Sequence, residues 1–272
     1  MSDTERTGAQ KGRFMNRLHA RLATLSRTAT AFTTTPEPRT IGSFARGRQI
    51  VSGNFLFAGF LVEAPNTNIW DLPMPDDGFE AELHGFTWLD DLGAVGDVHA
   101  NKRAQEWTHE WVARFGKGVG PGWTPDLTGR RLIRWINHAI LLLNGQKSEV
   151  SEAYFRSLAT QTIFLSRRWK AASPGLPRFE ALTGLIYAGL ALDGMDRHVA
   201  RATTAMAAEC GREIDAEGGL VTRNPEELLE VFTLLNWAAA ALQDAGRAPG
   251  DQHLKAIESV APVLRALRHA DG

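Results

Sequence analysis

Segments with apolar residues at helical spacing fill the chain from about His84 onward, and glycines separate them at a regular interval. Gly145, Gly194 and Gly246 stand about 50 residues apart, which fits one helical hairpin per unit. The predicted helices are Ala100–Phe115, Thr128–Asn144, Val150–Ala172, Arg178–Leu192, Met195–Asp215, Pro225–Ala245 and Gln252–Arg268. Strand-like alternation is confined to a short stretch at Gly53–Phe60. The pattern predicts an all-α fold, an α/α toroid in which antiparallel helical hairpins form an incomplete or complete ring.

The N-terminal part of the chain differs in character from the rest. It is polar, and TTTPEPRT breaks regular structure, so we predict an irregular, partly helical arm and linker at 1–48 and a toroid domain at 49–272. Within the arm, FMNRLHARLATL (Phe14–Leu25) has apolar residues at helical spacing with arginines between them. Such a helix packs either on a partner or on the body of the protein. Asn54–Pro75 is predicted to be ordered but irregular.

Composition narrows the classes of function. Hydrophobic residues make up 43% of the 272 residues, which is enough for a real core. The 30 basic and 31 acidic residues balance, so the total charge indicates neither nucleic acid nor a membrane surface as partner. Cys210 is the single cysteine, which excludes an intramolecular disulfide and a zinc site built mainly from thiolates. We expect no metal and no cofactor.

The sequence also bears on location. The N-terminal segment lacks the apolar core of a secretory signal, and no run approaches the roughly 18 apolar residues of a membrane span. The expected location is the cytoplasm, with the periplasm as the alternative.

The segment Gly129–Gly145 places polar residues on one side of a predicted helix. At about 100° per residue, Arg130, Arg134, Asn137 and His138 share a face, and apolar residues take the opposite side. This face lies either in bulk water or along a central cleft. The preceding loop, GKGVGPGWTPDLTG, sets glycines and prolines around a tryptophan. An indole that stacks on a pyranose, beside guanidinium groups that bind a carboxylate, suits an acidic sugar.

Three segments in order resemble the α-helical domain of heparinase II/III-family polysaccharide lyases: GPGWTPDLTGRRLIRWINHA, PGLPRFEALTGLIYAGLALDG and IDAEGGLVTRNPEELLEVFTLL. The resemblance implies a bacterial protein and a glycosaminoglycan as the class of polysaccharide. The resemblance runs from about Asn54 to Gly272. It implies an α/α toroid followed, in the family, by a large β-sandwich, which we expect to lie outside this chain. It also implies an acidic, uronate-containing polysaccharide as ligand and β-elimination without a metal. In that reaction Asn or Arg neutralises the uronate carboxylate, a base such as Tyr or His removes the C5 proton, and an acid protonates the leaving oxygen.

The chain departs from the family at the positions that carry this chemistry. Where the resemblance places the Asn-His pair, the sequence has Leu176 and Pro177. Where it places the tyrosine, the sequence has Glu226 or Glu227. None of these is the family's residue, so the catalytic residues stay unassigned.

The predicted site is therefore a substrate-binding wall. Its residues are Trp123, Arg130, Arg134, Asn137, His138, Arg178, Glu180, Arg223 and Asn224. Asn137 and His138 lie one helix before the family's catalytic pair, so the resemblance gives them no catalytic role. Arg178 and Arg223 are alternatively surface charges, and Asn224 with the following proline and glutamates is also typical of a helix N-cap.

Three functions remain open at this point. The first is the helical domain of a polysaccharide lyase, which binds an acidic polysaccharide and eliminates together with a further domain. The alternative is a catalytically degenerate carbohydrate-binding or assembly scaffold, and a general helical protein-binding module is a third possibility if the arginine face is solvated.

Other motifs are interpreted as structural. Asp90 or Asp91 of HGFTWLDDL is expected to cap a helix start. The overlapping stretch LDDLGAVGD (Leu89–Asp97) resembles an aspartate-rich metal motif, but its third acid would fall at Ala94. Trp107 and Trp111 stand four residues apart, a spacing more typical of a helix core than of a sugar platform.

Overall fold

The computed structural model describes residues 3–26, 28–34 and 39–267. This part of the chain contains twelve α-helices and one two-stranded antiparallel sheet. In chain order the elements are α1 (Asp3–Ala23), α2 (Phe44–Val51), β1 (Asn54–Phe57), β2 (Phe60–Glu63), α3 (Asp77–Gly85), α4 (Thr87–Val95), α5 (Val98–Phe115), α6 (Pro125–Asn137), α7 (Ala139–Leu143), α8 (Ser148–Arg168), α9 (Leu176–Ala191), α10 (Val199–Glu213), α11 (Pro225–Asp244) and α12 (Asp251–Leu267). Short 3₁₀ turns lie at Ile69–Asp71, Trp169–Ala171 and Asp196–His198.

The helices form two layers around a central cleft, which is the predicted all-α toroid. The inner layer consists of α2, α4, α6, α9 and α11, which supply the helical lining of the cleft together with α3. Within it, α2 packs on α4, α6 on α9, and α9 on α11. The outer helices α5, α8, α10 and α12 pack behind them, and α1 packs on α8. The inner helices therefore determine which side chains enter the cleft.

A glycine contact brings the inner helices α6 and α9 together. A Cβ on Gly129 would overlap the backbone carbonyl of Glu180, and a Cβ on Gly184 would lie 2.5 Å from the Cα of Gly129. Only glycine permits this approach of two backbones. Because Arg130 follows Gly129 directly, the contact sets Arg130 and Glu180 beside one another.

Several predicted boundaries shift in the structure. The predicted helix Thr128–Asn144 is two helices, because the backbone bends at His138, where ψ is 19°. The strand predicted at Gly53–Phe60 is a hairpin of β1 and β2, turning at Ala58 and Gly59 with φ of 49° and 83°. This hairpin also replaces part of the irregular segment predicted from Asn54. The helix α2 spans the domain boundary that the sequence places at residue 48.

The amphipathic helix predicted in the arm lies on the body of the protein. In α1, Ala20 and Ala23 are buried, and Asn16 accepts a hydrogen bond from Arg168 of α8 at 2.9 Å. Phe14 and Leu22 lie on the exposed side. The body is therefore the surface on which the inner face of α1 packs.

The core is rich in tryptophan and, among the described residues, holds one fully buried arginine. Trp107 and Trp111 are buried, which confirms their predicted core role. Arg131, fully buried on α6, donates hydrogen bonds to the carbonyl oxygens of His84 at 2.9 Å and Gly122 at 3.2 Å, and to Gln161 at 2.7 Å. Burial lowers the pKa of Arg131 to about 9, so the side chain stays charged at neutral pH.

Candidate functional site

The central cleft is a cavity of about 840 Å³ between the arm and the inner helices. Its wall is formed by residues 39–41, by α2 and β1, and by α3, α4, α6, α9 and α11. The charged residues that line it are Arg39, Arg46, Glu82, Asp90, Asp91, Arg130, Arg134, Glu180 and Glu230. This size is typical of a site for a small molecule or a few sugar units.

An ion pair joins α6 to α9 across the cleft wall. The Nε of Arg130 donates to Oε1 of Glu180. Glu180 is only 3% exposed, and its Oε2 has no hydrogen-bond partner among the described residues. Burial raises the pKa of Glu180 to about 7, against the lowering effect of Arg130. This carboxyl group can therefore accept or release a proton near neutral pH.

A second charge network joins α6 to α4. The Nε of Arg134 donates to Oδ2 of Asp90 at 3.1 Å, and the Nε2 of His138 lies 2.8 Å from Oδ1 of Asp90. Burial acts to raise the pKa of Asp90, but Arg134 and His138 together hold it below its usual value. Thr40 lies 3.4 Å from the same Nε2 of His138. A catalytic triad requires the acid and the nucleophile on opposite ring nitrogens, so this cluster is not one.

The structure corrects the expected capping role of Asp90 and Asp91. Neither caps α4, whose N-cap is Phe86. Asp91 instead accepts a hydrogen bond from the backbone N–H of Ser43 at 2.7 Å and lies 3.5 Å from Nε of Arg46. The second aspartate therefore holds the start of α2, while the first holds Arg134.

The two cleft arginines on α6, Arg130 and Arg134, are each held at Nε and, in the described part of the chain, have N–H groups without acceptors at the Nη end. Each uses its Nε for a carboxylate, and Arg134 also donates from Nη1 to the carbonyl oxygen of Arg130 at 3.3 Å. Among the described residues, the two Nη atoms of Arg130 and Nη2 of Arg134 have no hydrogen-bond acceptor. Their N–H groups are thus available to an anionic group in the cleft.

Three of the predicted site residues come together here, and two others on or next to α6 do not line this cleft. Arg130, Arg134 and Glu180 line the cleft. His138 is buried behind Asp90. Asn137 is buried too and lines a separate cavity of about 420 Å³ near the C-terminal ends of α6, α9 and α11. The face predicted for α6 is therefore split between two cavities.

Trp123 does not form the predicted stacking surface. It is 2% exposed, its Nε1 donates to the carbonyl oxygen of Phe115 at 2.9 Å, and its ring packs against Trp111 and Phe164. The loop between α5 and α6 folds back onto the core, because burying an indole with its N–H satisfied is more favourable than exposing it. Its remaining edge borders a smaller cleft of about 400 Å³ beside α1.

The last three predicted residues also lie away from the central cleft. Arg178 donates to Glu209 of α10 at 2.9 Å and to the carbonyl oxygen of Ala172 at 3.0 Å. The Arg223 side chain is 70% exposed and pairs with Asp215. Asn224 is the N-cap of α11, accepting from the backbone N–H groups of the two following glutamates, as the alternative prediction had it.

Other cleft residues were absent from the predicted site. Asp90 was interpreted as a cap, and Arg39 and Arg46 fell in the segment predicted as a linker. Two glycines are the sequence feature that could have indicated these residues. A Cβ on Gly42 would overlap the backbone carbonyl of Asp90, and a Cβ on Gly47 would overlap that of Asp91, so both glycines mark where the arm contacts α4.

Comparisons with known proteins agree with this architecture. No protein-family model matches the chain. FtsZ-localized protein C of Caulobacter vibrioides (strain NA1000 / CB15N) is 29% identical over 240 residues, which cover 87% of this chain and 41% of that protein. Heparan sulfate lyase HepC of Pedobacter heparinus superposes with a TM-score of 0.64 at 14% identity, covering 92% of this chain and 43% of that one. The heparinase III BT4657 gene product superposes with a TM-score of 0.61 at 14% identity, covering 85% and 42%.

These likenesses show that the fold is the helical toroid found in heparinase III and heparan sulfate lyases. The chain spans less than half the length of each of these proteins. At the position that the resemblance assigns to the Asn-His pair, Leu176 lines the cleft, and Pro177 occupies the first turn of α9. At the position assigned to the tyrosine, Glu226 and Glu227 form the first turn of α11.

Neither a metal-binding cluster nor a membrane-spanning helix is found among the described residues. Across 3–26, 28–34 and 39–267, no set of three or more His, Cys, Asp or Glu side chains is arranged to bind a metal ion. In the same part of the chain, every helix is too short or too polar to cross a membrane.

Proposed function

We propose that this chain is a helical domain of the polysaccharide-lyase type that binds an acidic, uronate-containing polysaccharide in its central cleft. The supporting observation is the pair Arg130 and Arg134, one turn apart on α6, with terminal N–H groups free of side-chain partners. A guanidinium fork matches the two oxygens of a carboxylate, and the carboxylates at Nε hold each fork in place.

We propose that this chain does not carry out the elimination alone. Among the described residues, neither a tyrosine nor a histidine lines the cleft, although Glu180 is placed to move a proton. Removal of the C5 proton and protonation of the leaving oxygen need a base and an acid on the two sides of the bond. We propose that a further domain supplies the missing group.

The test is a calorimetric titration with heparan sulfate and hyaluronan oligosaccharides, alongside an ultraviolet assay for the unsaturated uronate product. We expect saturable binding without turnover. Arg134→Gln should weaken binding about tenfold or more, since it removes a charge-assisted contact. Arg223→Gln, which removes an exposed arginine outside the cleft, is the matched control and should bind normally. Absence of binding to every acidic glycan would refute the proposal.

A second candidate is an assembly scaffold that keeps the toroid without elimination chemistry. It is favoured by Leu176 and Pro177 at the family's catalytic positions, and by the likeness to a protein named for its localisation with FtsZ. For this candidate we propose a cytoplasmic location. Co-sedimentation with FtsZ polymers tests it: binding that Arg134→Gln leaves unchanged would support a scaffold whose partner surface lies outside the cleft.

A further inference from the structure

Packing around Glu180 keeps its carboxyl group from moving out to solvent. It is buried on α9 at the point where the backbones of α6 and α9 meet through Gly129 and Gly184. Its Oε1 accepts from Arg130, and its Oε2 accepts from no described residue. A buried carboxylate with one oxygen unsatisfied is costly, and a proton on that oxygen removes much of the cost.

Several charged groups surround the ion pair of Glu180 and Arg130. Asp126, Arg130 and Arg134 on α6 act on the Glu180 carboxyl group, and Glu230 on α11 acts on Arg130. The other charged residues that line the same cleft are Asp90 and Asp91 on α4, Glu82 on α3, Arg46 on α2 and Arg39 before it. On the other side of α9, Glu209 of α10 is occupied by Arg178 and Arg212. Arg130 is thus the cation in direct contact with Glu180.

An acidic ligand that binds the Nη atoms of Arg130 brings a second negative charge to the same guanidinium. Two anions on one cation favour protonation of the one that is less well solvated, as in paired carboxylates. Glu180 is the buried member of such a pair, while the ligand group reaches the cleft from solvent.

We propose that Glu180 takes up a proton from solvent when a carboxylate or sulfate binds Arg130, so that the cleft binds its acidic ligand together with one proton. The proton goes to Oε2, which changes from an unsatisfied acceptor to a donor. Oε1 continues to accept from Arg130. The pKa of Glu180, raised to about 7 by burial, places this uptake near neutral pH. The inference rests on the proposed function.

The experiment is isothermal titration calorimetry of the full chain with a heparan sulfate hexasaccharide, between pH 6 and 8.5. At each pH, two buffers with different ionisation enthalpies report the number of protons taken up. We expect uptake approaching one proton per ligand above pH 7. In that range the affinity should fall by up to about tenfold per pH unit, as one-proton linkage requires.

The variant Glu180→Gln keeps the shape and the Oε1 acceptor but cannot titrate. It should bind the hexasaccharide with no proton uptake and with affinity independent of pH. Glu258→Gln, which alters an exposed carboxyl group on α12 outside the cleft, is the matched control and should keep the uptake. Thermal denaturation of Glu180→Gln beside the wild type guards against a folding defect in this variant.

Three different experimental results would overturn different parts of the proposal. Binding of the hexasaccharide without proton uptake would overturn this inference and leave the proposed function standing. Uptake that persists in Glu180→Gln would overturn the assignment to Glu180. Absence of binding at every pH would overturn the proposed function and this inference with it.

Discussion

The guanidinium of Arg131 lies over the ring of Trp111, with 4.0 Å between its Cζ and the ring centroid. Arg131 follows Arg130 on α6, yet it points into the core while its neighbour points into the cleft. Among the described residues it has no carboxylate in salt-bridge contact. Neutral acceptors and a π face therefore stabilise this cation, and its side chain joins α6 to the C-terminal end of α3, to the loop before α6 and to α8.

Replacement of Arg131 tests this structural role. Arg131→Met should lower the free energy of unfolding by about 2–4 kcal/mol, because it leaves buried carbonyl oxygens and the Gln161 amide without their donor. Urea denaturation measures the change. Arg103→Met, which removes an arginine from the surface of α5 beside Trp107, should cost far less. Equal losses in the two variants would contradict the role assigned to Arg131.

The contact between Gly129 and Gly184 gives a second prediction. Gly184→Ala should destabilise the protein by about 2–4 kcal/mol, because its Cβ would lie 2.5 Å from the Cα of Gly129, against backbone that cannot yield locally. The helical control is Gly211→Ala in α10, whose Cβ meets nothing within 4 Å. That change should be neutral or stabilise by up to about 1 kcal/mol. Thermal denaturation compares the two variants, and a neutral Gly184→Ala would refute the close packing.

The sequence predicted the cleft residues on helices better than those on loops. Helical periodicity placed Arg130 and Arg134 on one face, because that face depends only on the 3.6-residue repeat. The position of Glu180 opposite them depends on the crossing of α6 and α9. The resemblance, and not the periodicity, brought Glu180 into the predicted site.

The misplaced residues show where local sequence stops being informative. Trp123 and Arg178 have side chains that suit a sugar site, but each has a partner far along or across the fold: Phe164 for the indole and Glu209 for the guanidinium. The sequence predicts a capping role for Asp90 because its actual partner, Arg134, lies on another helix and is not visible in the local sequence. The residue type determines the chemistry of a side chain, whereas tertiary packing determines whether that side chain lies in a cavity or in the core.

The pH dependence of stability tests the state of Glu180. Because its pKa is raised to about 7 from 4.5, the folded protein holds this proton more tightly than the unfolded chain. Its contribution is fully present below pH 4.5 and is lost as the pH rises through 7. The free energy of unfolding of Glu180→Gln, relative to that of the wild type, should therefore increase by on the order of 2–3 kcal/mol between pH 5 and pH 8. A difference between the two melting temperatures that stays constant with pH would contradict a raised pKa.

The ion pairs of the buried carboxylate Glu209 provide a test that distinguishes an arginine with a structural role from one that binds the ligand. It is fully buried and accepts from Arg178 and Arg212, so removing one partner leaves a buried charge less well compensated. Arg178→Gln should cost about 3 kcal/mol in the free energy of unfolding and leave the affinity for a heparan sulfate hexasaccharide unchanged. The matched variant Arg134→Gln should weaken the affinity. Calorimetric titration and urea denaturation of the same two preparations measure both quantities. If Arg178→Gln weakens glycan binding while the fold is intact, Arg178 belongs to the binding wall that the sequence predicted, and the cleft described here is only part of the site.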